Sequence, residues 1–89
     1  MKRDYKIELK ELMIKTSDIV GEFVVFGSYI FNDGDIINIY ENDGANYYTF
    51  DSNNNQYHVR ISEMGWGSNG YQIFFTIQEW RDRQLKSLI

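Results

Sequence analysis

The spacing of apolar positions along the chain switches between strand-like and helix-like periods. At 56–63 the alternation is clean, with Tyr57, Val59 and Ile61 set against His58, Arg60 and Ser62, which predicts a strand with one wet face. The run Tyr71-Gln72-Ile73-Phe74-Phe75-Thr76-Ile77 places apolar residues on both faces and reads as a well-buried strand. From Gln78 onward, Ile77, Trp80, Leu85 and Leu88 gather near one helical face with Arg81, Asp82, Arg83 and Lys86 outside, which predicts a short C-terminal helix. At the other end, Tyr5, Ile7 and Leu9 alternate as in a strand while Tyr5, Leu9, Leu12 and Met13 recur as on a helix. The good helix formers at 8–13 and the break at Thr16-Ser17-Asp18 favour the helix.

Between these segments stand two Asp-Gly steps, Asp33-Gly34 and Asp43-Gly44, each flanked by strand-like residues. Asp and Gly both tolerate the positive φ of a tight hairpin loop, so each step predicts a two-residue turn. That geometry pairs Phe31 with Ile36 and Tyr29 with Asn38 across the first turn, and Tyr40 with Tyr47 and Ile39 with Tyr48 across the second. Ser28, Ile30, Ile37, Ile39, Tyr48 and Phe50 then share the better core face, and Tyr29, Phe31, Ile36, Asn38, Tyr40, Tyr47 and Thr49 share the other. Asp51-Ser52-Asn53-Asn54-Asn55 is a polar turn cluster. The pattern as a whole predicts an α+β fold: an antiparallel β-meander of about five strands, as a twisted sheet or a partly closed barrel, with a short C-terminal helix and an N-terminal helix.

Length and composition narrow the picture. The 89 residues fit one domain, 1–89, and a chain of this size uses most of its apolar residues to fold, leaving few for a deep pocket. Fifteen aromatics, seven of them Tyr, supply packing area and favour strands. With no cysteine there is neither a disulfide framework nor a thiolate metal site, which fits a cytoplasmic protein. The longest apolar stretch, Phe23-Val24-Val25-Phe26, is far short of the ~20 residues a spanning helix needs, and no apolar signal region follows Met1-Lys2-Arg3-Asp4. Eleven Ile and eight Asn against one Ala and no Pro suit AT-rich coding, and a bacterial or phage source.

Charge is distributed unevenly. Residues 1–15 carry a net +2, residues 16–59 a net −7 without a single Lys or Arg, and residues 60–89 a net +1. The middle acids are Asp18, Glu22, Asp33, Asp35, Glu41, Asp43 and Asp51. Several sit at turns, where Asp is common because its side chain caps its own loop, but turn chemistry does not explain the missing cations. The resulting field repels nucleic acid and attracts basic surfaces.

Other constellations carry less. Gly65-Trp66-Gly67-Ser68-Asn69-Gly70 matches G-x-G-x-x-G, but that motif binds a dinucleotide only where a helix begins, and a strand-like run follows here. Trp66 in the middle of this glycine-rich loop is either a lid on the core or an anchor offered to a partner. Asp33-Gly34-Asp35 and 51–55 have calcium-ligand residue types without completing a calcium loop, so no metal or other cofactor is expected. His58 is the sole histidine, and with Arg60 it suits a solvated strand face; Ser62 is too far along to serve it as a nucleophile, and no carboxylate sits in an apolar setting that would raise its pKa. No catalytic residue is assigned, and an enzyme is not expected.

The expectation is therefore a non-enzymatic binding module of a bacterial host's cytoplasm, using Asp33, Asp35, Glu41, Asp43, Asp51 and Trp66 against a basic protein partner. A concrete form is a phage or mobile-element inhibitor that blocks a nucleic-acid-binding nuclease, as anti-CRISPR proteins do. Two alternatives stand beside it. One is a sheet that stacks single-stranded nucleic acid on Tyr29, Phe31, Tyr40 and Tyr47, although cations to hold phosphate are missing there. The other is a self-assembling phage component whose aromatics bury in a homo-oligomer.

Overall fold

A computed structural model describes residues 4–44, 46–66 and 71–87 of the chain. Helix α1 (Tyr5–Lys15) is followed by strands β1 (Asp18–Val25), β2 (Ile36–Asn42), β3 (Asn46–Phe50) and β4 (Gln56–Val59). A 3₁₀ turn (Ile61–Met64), strand β5 (Phe74–Thr76) and helix α2 (Ile77–Ser87) complete the α+β fold. The sheet is open and antiparallel, in the order β4-β3-β2-β1-β5. Strands β1 to β4 run as a meander, and β5 returns to the free edge of β1. The residues group into two compact units, Met1–Gly21 with Asn38–Val59 and Glu22–Ile37 with Arg60–Ile89, so the boundary falls within β1 and β2.

In the first unit, α1 starts where Asp4 accepts a hydrogen bond from the Lys6 N–H at 2.8 Å, a side-chain N-cap. It ends at Thr16, whose N–H is shared between the Leu12 and Met13 carbonyls. The hairpin at Asp43-Gly44 forms with both residues at positive φ, 58° and 71°. Its register differs from expectation: Tyr40 lies opposite Tyr48, Glu41 opposite Tyr47 and Asn42 opposite Asn46, so three residues rather than two connect the strands. Side chains alternate with a period of two, so this one-residue slip carries Tyr40 to the face of Tyr48 and Phe50 and leaves Tyr47 on the opposite face. Tyr40 stacks on Tyr48 with ring centroids 5.7 Å apart, and Tyr48 meets Phe50 edge-on at 5.6 Å.

Helix α1 meets this aromatic face. The Lys10 ammonium lies 5.6 Å above the Phe50 ring and donates to Asn54 Oδ1 at 3.2 Å. The Tyr48 hydroxyl donates to the Met13 carbonyl at 2.9 Å and also meets the Ser17 hydroxyl. On the other face Ile39, Thr49 and Val59 are buried, and the Thr49 hydroxyl is satisfied by donating to the Asn38 carbonyl at 2.7 Å.

In the second unit β1 pairs with β5 through Phe23 with Thr76, Val24 with Phe75 and Val25 with Phe74. Phe23, Val24, Val25, Phe31, Met64, Ile73, Phe74 and Phe75 form its core, with Phe31 edge-on to Phe74 at 6.1 Å. The expected strand before Asp33-Gly34 is absent: residues 26–35 are a loop, and the strand lies earlier, at Asp18–Val25. Phe31 is therefore buried and Ile30 exposed, the reverse of the expected facing. The alternation at 56–63 is also cut short. Glu63 accepts from the Arg60 N–H at 2.8 Å and donates its own N–H to the Arg60 carbonyl at 2.9 Å, which closes the 3₁₀ turn and leaves Ile61 half-exposed.

Helix α2 begins at a reciprocal cap. The Thr76 N–H donates to Glu79 Oε1 at 3.2 Å, and the Glu79 N–H donates to the Thr76 hydroxyl at 3.0 Å. Trp80 packs against Phe26 and Phe75. Arg83, expected on the outer face, instead lays its guanidinium over the rings of Phe75 (4.8 Å) and Phe26 (5.4 Å), while Leu85 is exposed. The expected packing of Leu88 lies outside the described residues.

Candidate functional site

The acids singled out by charge have different local duties. Asp33 and Asp35 belong to the loop at 26–35, whose ends are joined by the Gly34 N–H donating to the Val25 carbonyl (2.7 Å) and the Val25 N–H donating to the Asp35 carbonyl (2.9 Å). Within it, Asp33 Oδ1 accepts from the Gly27 N–H at 2.8 Å and Asp35 Oδ2 accepts from the Asn32 N–H at 3.3 Å. The Ser28 hydroxyl accepts from the N–H groups of Ile30 (3.0 Å) and Phe31 (3.2 Å). Short polar side chains that bond their own backbone hold a loop in one shape.

In the other unit Glu41 and Asp43 sit together at the β2–β3 turn. Asp43 is exposed, and Glu41 is half-buried with its carboxylate beside Gly44. Asp51 lies at the opposite end of β3, separated from that turn by the five residues of the strand, or roughly 17 Å at 3.4 Å per residue. The structure thus brings Glu41 and Asp43 together and sets Asp51 apart. Asp51 Oδ1 accepts from the N–H groups of Asn53 and Asn55, both at 2.9 Å, and its second oxygen accepts from the Asn55 amide at 3.2 Å. Donation from the Asn55 N–H, against an opposing effect of burial and with help from the Asn55 amide, the Asn53 N–H and the Lys6 charge, holds this carboxyl below its ordinary value.

Trp66 follows the 3₁₀ turn, donates its N–H to the Ile61 carbonyl at 3.0 Å, and is 53 % exposed. Gly65, first of the glycine motif, closes the turn at φ 79°. Residues 67–70 lie outside the described residues; from Tyr71 the chain runs into β5, and a helix starts only at Ile77. Among the described residues no helix begins between Gly65 and Ile77, so none offers its N-terminus to a pyrophosphate at this motif. His58 and Arg60 are exposed, and among the described residues no three His, Asp or Glu side chains converge on a possible metal position.

The supposed aromatic face is divided. Tyr40 packs with Tyr48 and Phe50 on the side that α1 meets, Tyr47 points the other way, and Phe31 is buried while Tyr29 is fully exposed. Sequence reasoning missed the pairing of a buried Phe31 with exposed Tyr29 and Ile30; the signal was Ser28, placed to accept from the N–H groups two and three residues on. It also missed the exposure of Tyr5 and Leu12 on α1, whose side chains are nowhere fully buried. Among the described residues no helix is long and apolar enough to cross a membrane.

These features define a small α+β fold with an acidic segment. No protein family, no curated protein and no solved structure matches the chain. What it does must therefore be read from its own side chains.

Proposed function

We propose that the chain is a non-enzymatic protein-binding module whose acidic segment engages a basic partner protein. In its concrete form it is an inhibitor from a phage or mobile element that occupies the nucleic-acid-binding surface of a host nuclease, as anti-CRISPR proteins do. One observation carries this reading: seven acids and no Lys or Arg occupy residues 16–59, and Asp18, Glu22, Asp33, Asp35 and Asp43 stand on exposed positions. Such a field raises the rate of encounter with a cationic surface and repels phosphate, which directs it toward proteins that bind nucleic acid rather than to nucleic acid itself.

The local bonds decide how to test it. Lys at Asp33, Asp35 or Asp51 would remove a loop cap as well as a charge, so the informative variant is Asp18→Lys, Glu22→Lys and Glu41→Lys together. The tagged protein is used to capture a partner from a nuclease-treated bacterial lysate at low salt, and the affinity for the purified partner is then measured across salt concentrations. The expected result is a basic partner, at least tenfold weaker binding by the triple variant, and a loss of the salt dependence. Equal affinity of the variant refutes the reading. Retained nucleic acid, lost on nuclease treatment, points to the single-strand alternative instead.

A further inference from the structure

The loop at 26–35 ties its short polar side chains to its own backbone, buries Phe31, and leaves the large side chains of Tyr29 and Ile30 exposed. Ser28, Asp33 and Asp35 accept four hydrogen bonds from backbone N–H groups of the loop itself, at 2.8 to 3.3 Å. Phe31 anchors it from beneath against Phe74. In the middle of the loop Tyr29 is fully exposed and Ile30 is 53 % exposed. A loop already held in one shape loses little conformational entropy on binding, and a Tyr presented on such a loop is the side chain most able to anchor an interface. It brings a large apolar ring and a hydroxyl that can stay hydrogen-bonded when buried.

We infer that Tyr29 and Ile30 are the anchor by which this protein docks into an apolar pocket of its protein partner, with Lys or Arg side chains of that pocket's rim facing Asp33 and Asp35. The occupant follows from charge complementarity. The loop's only ionisable side chains besides Tyr29 are these two carboxylates, both exposed, within a segment that lacks any cation. An exposed apolar pair on a loop that also carries two exposed carboxylates suits a pocket rimmed by cations and disfavours phosphate and acidic surfaces. The inference rests on the basic-partner reading above and names the part of the surface that supplies affinity rather than attraction.

The test keeps the two apart. A photo-reactive benzoyl-phenylalanine replaces Tyr29, and separately Tyr5, an exposed tyrosine of α1 used as control; each protein is illuminated in a bacterial lysate and the cross-linked peptide sequenced. Affinities for the captured partner are then compared for wild type, Tyr29→Ala, Tyr29→Phe, Tyr5→Ala and the Asp18/Glu22/Glu41→Lys variant. Tyr29 is fully exposed, so Tyr29→Ala should keep the wild-type thermal midpoint and near-UV spectrum.

The expected result is a cross-link at position 29 to a Lys/Arg-flanked apolar peptide, with binding about thirtyfold weaker for Tyr29→Ala, which is about 2 kcal/mol. Tyr29→Phe and Tyr5→Ala should stay within about threefold of wild type. A Tyr29→Ala protein that binds as well as wild type overturns the anchor, whether or not the charge variant loses affinity. If Tyr29→Ala fails to bind while the charge variant binds normally, the anchor stands and the basic-partner reading falls. A cross-link only at the control position, to a second copy of the chain, or to nothing overturns the inference.

Discussion

The reciprocal cap at the start of α2 offers the sharpest test of the energetics. Thr76→Val keeps the branched shape that β5 uses and deletes only the hydroxyl that accepts from the Glu79 N–H at 3.0 Å. Loss of such an N-cap costs about 1 kcal/mol, within a range of about 0.5 to 2. Glu79→Ala removes the acceptor for the Thr76 N–H and for Gln72 Nε2, each at 3.2 Å, together with a negative charge in the first turn of the helix. Its cost should be about 1 to 1.5 kcal/mol, since the bonds are long and partly exposed. The two groups satisfy one helix end, so the double variant should lose about 0.5 kcal/mol less than the sum of the singles. For a chain of this length each kilocalorie lowers Tm by about 4 to 8 °C, which circular dichroism at 222 nm resolves.

The same cap predicts a pH dependence. Burial pushes the Glu79 carboxyl up, but donation from the Gln72 amide and from the Thr76 N–H and hydroxyl outweighs it and holds the group below its ordinary value of 4.5. A carboxyl lowered on folding binds fewer protons in the folded than in the unfolded state, so it stabilises the fold above the unfolded value. That contribution fades as pH falls through the lowered folded value. The gap between wild type and Glu79→Gln should therefore be full at pH 7, narrow as pH falls below the ordinary carboxylate value, and close once the lowered folded value is passed. Strictly additive single-variant losses, or a gap that persists unchanged in acid, would refute the reciprocal cap.

Three further outcomes follow from the packing. Gly65→Ala should cost at least about 1 kcal/mol in urea titration, because φ is 79° and an added Cβ would stand 2.8 Å from the Gln72 side chain; displacing Gln72 from Glu79 should also raise the Glu79 pKa, readable by carbon NMR. Tyr48→Phe should lower stability by about 1 kcal/mol in the same titration, near the low end for a buried hydroxyl, because Thr16 still donates to the Met13 carbonyl. Asp51→Asn should loosen the 51–55 loop, seen as faster amide exchange at Asn53 and Asn55 at neutral pH, and the difference from wild type should disappear as pH falls through the lowered Asp51 value.

Sequence by itself determined the local elements. The helix-forming run at 8–13 is a helix, the doubly apolar run expected as a strand over 71–77 is strand only at Phe74–Thr76 although Ile73, Phe74 and Phe75 are all buried, and Asp43-Gly44 turns a hairpin at positive φ. These outcomes depend on side-chain volume, propensity and φ preference, which neighbours in sequence settle. The reciprocal Thr76-x-x-Glu79 cap was equally legible as a motif, and would have placed the start of α2 at Ile77.

Tertiary structure decided the rest. A third residue in the β2–β3 connection moved Tyr40 to the side of Tyr48, because register is set by pairing across strands and one residue inverts every face. The pairing of β5 with β1 placed Val25 opposite Phe74, so the strand formed at Asp18–Val25 and the chain that follows it became a loop. Only then could Ser28, Asp33 and Asp35 bond the loop's own N–H groups and Phe31 bury against Phe74. The charges were fixed by the residues, but which of them close loops and which stay available depends on where the backbone N–H groups lie. That is a property of the folded chain alone.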